Sequence, residues 1–182
     1  IVTTPDPAVL DHVAATFGDA VYPVLRETRL AMFNTKLDDT LLSALSRFSA
    51  DRFEPEVAAV LQVESPFRTA QHINTAIEVM VLFDTDCVVG VRPENSRFFR
   101  HNGNGLEPMR QTAELRRERE ELFREAGGLH LVRVPFLAKN RTLVGGRVGH
   151  IVLDQQSALT IESDWDWNLA ARIADSIPLP QR

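Results

Sequence analysis

The chain has 182 residues, 44% of them apolar and 25% charged, with a net charge of −5. That is enough apolar mass for a real core, and an acidic balance disfavours phosphate-backbone binding, which needs clustered Lys and Arg. The single cysteine, Cys87, excludes an internal disulfide, and no apolar run reaches the roughly 18 residues of a membrane span.

The amino-terminal stretch IVTTPDPAVL lacks the basic start and apolar centre of a secretion signal. It does not begin with Met, and a piece of a longer polypeptide is expected. Asp6-Pro7 is a helix start, because Asp caps free N–H groups and Pro fits the first turn. A helix is expected over 7–17, stopped at Gly18, with a second over 20–31 capped by Asp19. Leu37, Leu41, Leu42, Leu45 and Phe48 share one face of a further helix. In EPEVAAVLQVES the spacing suits a short helix or a buried strand, and the second half reads as strand.

From 77 onward the β-branched content of IEVMVLFD and CVVGVRP predicts two strands, with Asp84-Thr85-Asp86 as a hairpin turn. After SRFFRH, the repeated pair Asn102-Gly103, Asn104-Gly105 reads as a tight turn or a loop. The stretch EPMRQTAELRREREELFREAGG predicts a long helix. Arg116/Glu120, Arg117/Glu121 and Glu120/Arg124 sit one turn apart, and Gly127-Gly128 would end it. Its thin apolar stripe, including Leu122 and Phe123, suits a solvated helix or a dimerising one. Val132, Val134 and Phe136 then predict a strand, Asn140-Arg141 and Gly145-Gly146 turns, and Arg147 to Asp154 a last strand. Ser163 caps a closing helix whose buried face is Leu169, Ala170, Ile173, Ala174 and Ile177, ended by Pro178. The fold class expected is α+β: a central, mainly antiparallel sheet flanked by helices, with an N-terminal helical segment. The boundaries expected are 1–52 for that segment and 53–182 for the α+β domain, the two being readable as one continuous domain.

No residue set declares catalysis or a metal. His12, His72, His101, His130 and His150 lack zinc-ligand spacing. Asp84 and Asp86 read as turn residues, or as metal ligands together with Glu64 and Glu78. Cys87 reads as a small buried side chain, or as a nucleophile without a nearby base. Trp165 and Trp167 suit packing on the sheet or a ligand surface. The ligand-binding candidates are Arg97, Phe99, His101, His130 and Arg133, cationic and aromatic groups in or beside strands, able to hold an anionic or polar small molecule.

Val134-Pro135-Phe136, Gly146 to Asp154 and the Asp164–Ile177 helix together resemble the closing half of a GAF domain, the sensor fold related to PAS. The resemblance implies that 130–154 forms the last central hairpin of a sensor sheet. It also implies sensing rather than catalysis. The expectation is a regulatory small-molecule-sensing domain of a larger signalling protein. Two alternatives stand beside it: a protein-interaction or dimerisation module without ligand, and a metal-dependent enzyme using Asp84 and Asp86. The cofactor is left unknown. A homodimer in the cytoplasm is expected, without membrane insertion and with nucleic acid disfavoured as a partner.

Overall fold

The computed structural model describes residues 1–32, 34–109 and 121–176. Its elements run β1 (Val2–Thr4), α1 (Pro7–Phe17), β2 (Pro23–Leu25), α2 (Leu37–Asp51), β3 (Val57–Leu61), α3 (Ala70–Phe83) and β4 (Cys87–Glu94). They continue with β5 (Phe99–His101), β6 (Leu106–Pro108), β7 (Leu122–Arg133), α4 (Val134–Asn140), β8 (Val148–Val152) and α5 (Asp164–Ser176). Among the described residues, no helix is long and apolar enough to cross a membrane.

The class is α+β as expected, but the main sheet is mixed. It has the order β3-β7-β4-β8. The Gln62 N–H donates to the Gly128 carbonyl and the Val134 N–H to that of Glu56, so β7 runs against β3. The Arg133 N–H donates to the Asp86 carbonyl, while Gly90 lies against Ala126 and Leu129, so β7 also runs against β4. Between β4 and β8 the partners rise together: Asp86 bonds Arg147, and Leu153 bonds Val91. Those two strands are parallel. Thus β3, β4 and β8 share one direction and β7 opposes all three. Separately, β1 and β2 pair in parallel, and β5 and β6 form an antiparallel hairpin.

The chain divides into two compact units. The first comprises Ile1–Ala59, Met80–Val88 and His130–Gly149. Its core includes Val13, Val24, Leu30, Leu45, Met80, Val88, Leu131, Val132 and Leu137. The second comprises Val60–Val79, Val89–Leu129 and His150–Arg182. Its core includes Val60, Ala76, Val89, Val91, Leu129, Ile151, Leu153 and Ala170.

Capping places several helices where the sequence predicts them. The Asp6 carboxylate accepts from the Ala8 N–H at 2.9 Å, and Gly18 ends α1 with φ 52°. The Ser163 hydroxyl accepts from the Asp166 N–H at 3.3 Å and donates to the Asp166 carboxylate at 2.7 Å, which caps the first turn of α5. Ile177 and Pro178 lie outside the described residues.

Six expectations are corrected. The segment 20–31 is not a helix but β2 flanked by two 3-10 turns. IEVMVLFD is the second half of α3, with Ala76 and Met80 buried one turn apart. Asp84-Thr85-Asp86 therefore joins a helix to a strand and is no hairpin turn. The run from Leu122 to Gly128 is strand, not helix; the rest of that expected helix, 110–120, lies outside the described residues. Val134 to Asn140 is helical, with Pro135 in its first turn where a missing N–H costs little. Strands β7 and β8 are not neighbours, because β4 lies between them. The last central hairpin expected over 130–154 does not exist.

Gly127 and Gly128 instead kink β7, with φ of 72° and 49°. A Cβ on Gly128 would lie 2.7 Å from the Gln62 Cβ and 3.1 Å from the Ser65 Oγ. Both backbone and space reserve this position for glycine. Gly128→Ala is expected to destabilise the protein by about 1–3 kcal/mol, a fall of roughly 4–10 °C in calorimetric Tm.

Candidate functional site

Two groups of polar side chains stand out, one in each unit. In the first unit, a cleft of about 630 Å³ is lined by Arg29, Leu30, Met32, Asn34, Thr35, Lys36, Asp39, Asn140 and Arg141. Three cations against one carboxylate is a local excess of positive charge in a chain of net charge −5. Local hydrogen bonds shape it. The Thr35 hydroxyl donates to the Arg29 carbonyl at 2.7 Å, and the buried Thr40 hydroxyl to that of Leu30 at 3.2 Å. Lys36 directly precedes α2, which carries Asp38 and Asp39 in its first turn. Arg141 follows α4 in the left-handed region, φ 51° and ψ 45°, and pairs with Asp39. The Asn140 amide donates back to the Phe136 carbonyl at 3.0 Å.

The guanidinium of Arg29 binds the Glu27 carboxylate at 2.7 Å and holds it below the usual carboxylate range. The Arg29 side chain is 72% exposed and that of Arg141 64%. Exposed pairs of this kind contribute little to stability. A polyanion entering the cleft can therefore take over these cations at small cost.

In the second unit, β3 and β8 end in loops that pack together. The Ser65 and Thr160 hydroxyls lie 3.2 Å apart, and the Ile161 N–H donates to the Glu64 carbonyl at 2.8 Å. Carboxyl ends of parallel strands are the usual ligand side of open α/β sheets. The Asp154 carboxylate accepts from the Ser157 N–H at 3.0 Å, the Ser157 hydroxyl at 2.7 Å and the Gln156 N–H at 2.8 Å. These bonds, Ser157 first and with lesser help from His72, push the Asp154 carboxyl down from 3.8. The His72 Nδ1 accepts from the Thr69 N–H at 3.1 Å, which leaves the proton of a neutral ring on Nε2.

The candidates from sequence are split between the units. Arg97, Phe99 and His101 are exposed residues of the second, on and before the β5–β6 hairpin. The His101 Nδ1 accepts from the Gly103 N–H at 3.1 Å. His130 is buried in β7 in the first unit. Arg133, in the same unit, donates to the Thr85 carbonyl and to Asp84, each at 3.0 Å. Asp84 is thus held in an ion pair, and the Asp86 carboxylate accepts from the Arg147 N–H at 2.8 Å. Among the described residues, no group of three or more potential metal ligands forms. Burial pushes the Cys87 thiol up, and it lies 3.4 Å from the Gly145 carbonyl. That is the environment of a packed thiol rather than of a nucleophile. Trp165 and Trp167 are both exposed on α5. Arg29, Lys36 and Arg141 carry no motif, and sequence reasoning missed them.

No family model matches the chain. It is similar to CMP-N,N'-diacetyllegionaminic acid synthase of Legionella pneumophila subsp. pneumophila strain Philadelphia 1. The two are 22% identical over 181 residues, 96% of this chain and 78% of that protein. Its fold is similar to 4-diphosphocytidyl-2C-methyl-D-erythritol synthase from Anaerococcus prevotii, with a TM-score of 0.65 and 9% identity, over 96% of this chain and 80% of that one. It is also similar to CMP:2-keto-3-deoxy-manno-octonic acid synthetase solved with CTP, with a TM-score of 0.64 and 13% identity, over 97% and 80%. These likenesses show the fold, which is that of the two synthases. They overturn the GAF-like sensor resemblance, and with it the reading as a sensing or dimerisation module in signal transduction. The residues that carried the resemblance belong to two helices, α4 and α5, and to the strand β8, which β4 separates from β7.

The depressed Asp154 carboxyl sets a pH dependence. Its stabilisation is complete above the ordinary value of 3.8 and is lost as pH falls below it, through the folded value. Asp154→Asn is expected to lower Tm near neutral pH. The difference from the unsubstituted protein should close as pH falls below 3.8 in a series of thermal melts.

Proposed function

We propose that the chain belongs to a cytidylyltransferase, an enzyme that joins CMP from CTP to an acidic sugar and releases pyrophosphate. The observation that carries this reading is the agreement of independent comparisons. The sequence relative and both fold neighbours are named for cytidylyl products, and one neighbour was solved with CTP. The cationic cleft supports it, because a triphosphate needs fixed positive charge and Arg29, Lys36 and Arg141 supply it. In the transfer, an acceptor oxygen bonds to the α-phosphorus of CTP, and the bond from that phosphorus to the bridging oxygen of pyrophosphate breaks. The acceptor proton leaves to a base or to water. Fixed cations stabilise the charge that gathers on the departing pyrophosphate. The sugar acid named in the Legionella relative and 2-keto-3-deoxy-manno-octonic acid are the first acceptors to try. A cytoplasmic location accords with dependence on a nucleoside triphosphate.

The test is pyrophosphate release from magnesium-bound CTP with each acceptor. Turnover that requires both CTP and a sugar acid supports the reading, and absence of turnover with every acceptor overturns it. Arg29→Ala and Arg141→Ala are each expected to weaken CTP binding about 10- to 100-fold by calorimetry, with little change in Tm.

A further inference from the structure

The second unit holds a cation outside the nucleotide cleft. Arg68 lies seven residues beyond the end of β3, just before α3. Its Nη1 donates to the Gly127 carbonyl at 2.6 Å and to the Gly128 carbonyl at 3.2 Å. Its Nη2 donates to the Gln62 carbonyl at 2.6 Å. Nε is buried without an acceptor among the described residues. No ion pair to Arg68 is present among them either; Glu64 acts on it only through space. A guanidinium is being used here as a bracket for three main-chain carbonyls, not as half of a salt bridge.

The geometry needs that group. The carbonyls belong to two segments far apart in sequence and converge on one planar fork. Lys offers a single nitrogen, and a neutral amide offers one NH2 group without charge. What the fork fixes is the loop leaving β3. That loop rests on the β7 kink so closely that Gly128 has no room for a Cβ beside Gln62 and Ser65. The loop in turn holds Thr160 and Ile161, through Ser65 and Glu64, in the segment following β8. The loops after two parallel strands are therefore tied to each other through Ser65 and Glu64, and the first of them to the β7 kink through Arg68.

We propose that Arg68 is a positioning residue of the transfer reaction, setting the post-β3 and post-β8 loops that hold the acceptor. The proposal rests on the cytidylyltransferase reading and adds to it. Arg68 does not line the cleft, so its effect falls on acceptor turnover and spares CTP affinity.

The experiment compares Arg68→Lys and Arg68→Met with the unsubstituted protein in the pyrophosphate-release assay, in CTP calorimetry and in amide hydrogen exchange. Arg68→Lys is expected to fold and to bind CTP within about twofold of the parent, with kcat lowered roughly 10- to 100-fold. Amides of Asp154–Ile161 should exchange faster in it. Added guanidinium at millimolar concentration should restore part of the Arg68→Met turnover. Unchanged kcat in Arg68→Lys, unchanged exchange over Asp154–Ile161, or a loss of CTP affinity matching the loss of turnover would each overturn the proposal. If the unsubstituted protein turns over no acceptor, the underlying reading fails instead, and that outcome is visible before any variant is made.

Discussion

One reversed strand organises this molecule. From Ala126 to Val132 every residue of β7 is buried, so the strand is covered on both faces, and it runs against β3 on one side and β4 on the other. Burial on both faces demands that its main-chain groups find partners in both neighbours. That demand is met by antiparallel ladders to β3 and β4, and β4 in turn pairs in parallel with β8. At the kink of Gly127-Gly128 the strand's carbonyls are also met by a side chain, Arg68.

Three strands sharing a direction end on the same side of a sheet, which brings their carboxyl-end loops together. This is how the second unit gathers Gln62, Ser65, Asp154 and Thr160. The first unit solves a different problem. Its cleft joins the segment before α2 to the residue after α4, closed by the pair Asp39 and Arg141. Placing Arg141 in the left-handed region costs backbone strain, which a cap one residue past a helix commonly carries.

Local chemistry in the sequence was readable and long-range arrangement was not. Asp6-Pro7, the helix α2 and the Ser163 cap each act within a few residues, and each appears as expected, although of the α2 stripe only Leu45 is buried. Composition misled where it competed with periodicity. IEVMVLFD is rich in β-branched and aromatic side chains, yet it is helical with Ala76 and Met80 buried and Val81, Leu82 and Phe83 left exposed. Charge pairing misled between Leu122 and Gly128, where a kinked strand carries what looked like a helix end. The hairpin expected over 130–154 failed because adjacency in sequence was taken for adjacency in the sheet. The cleft was invisible for a related reason: Asp39 and Arg141 are 102 residues apart and belong to no local motif. Arg68 likewise has two of its three acceptors 59 and 60 residues away. Of the ligand candidates chosen from sequence, the cations near histidines in strands, Arg133 is engaged with Asp84 and Thr85.

The central claim is that the cationic cleft of the first unit receives the triphosphate of CTP. Amide hydrogen exchange of the purified protein, with and without CTP, measures this directly. The account predicts slower exchange over residues 34–39 and 140–141 with CTP, and less slowing with an equal concentration of ATP. Exchange in those segments that is unchanged by CTP, or slowed equally by both nucleotides, would contradict it.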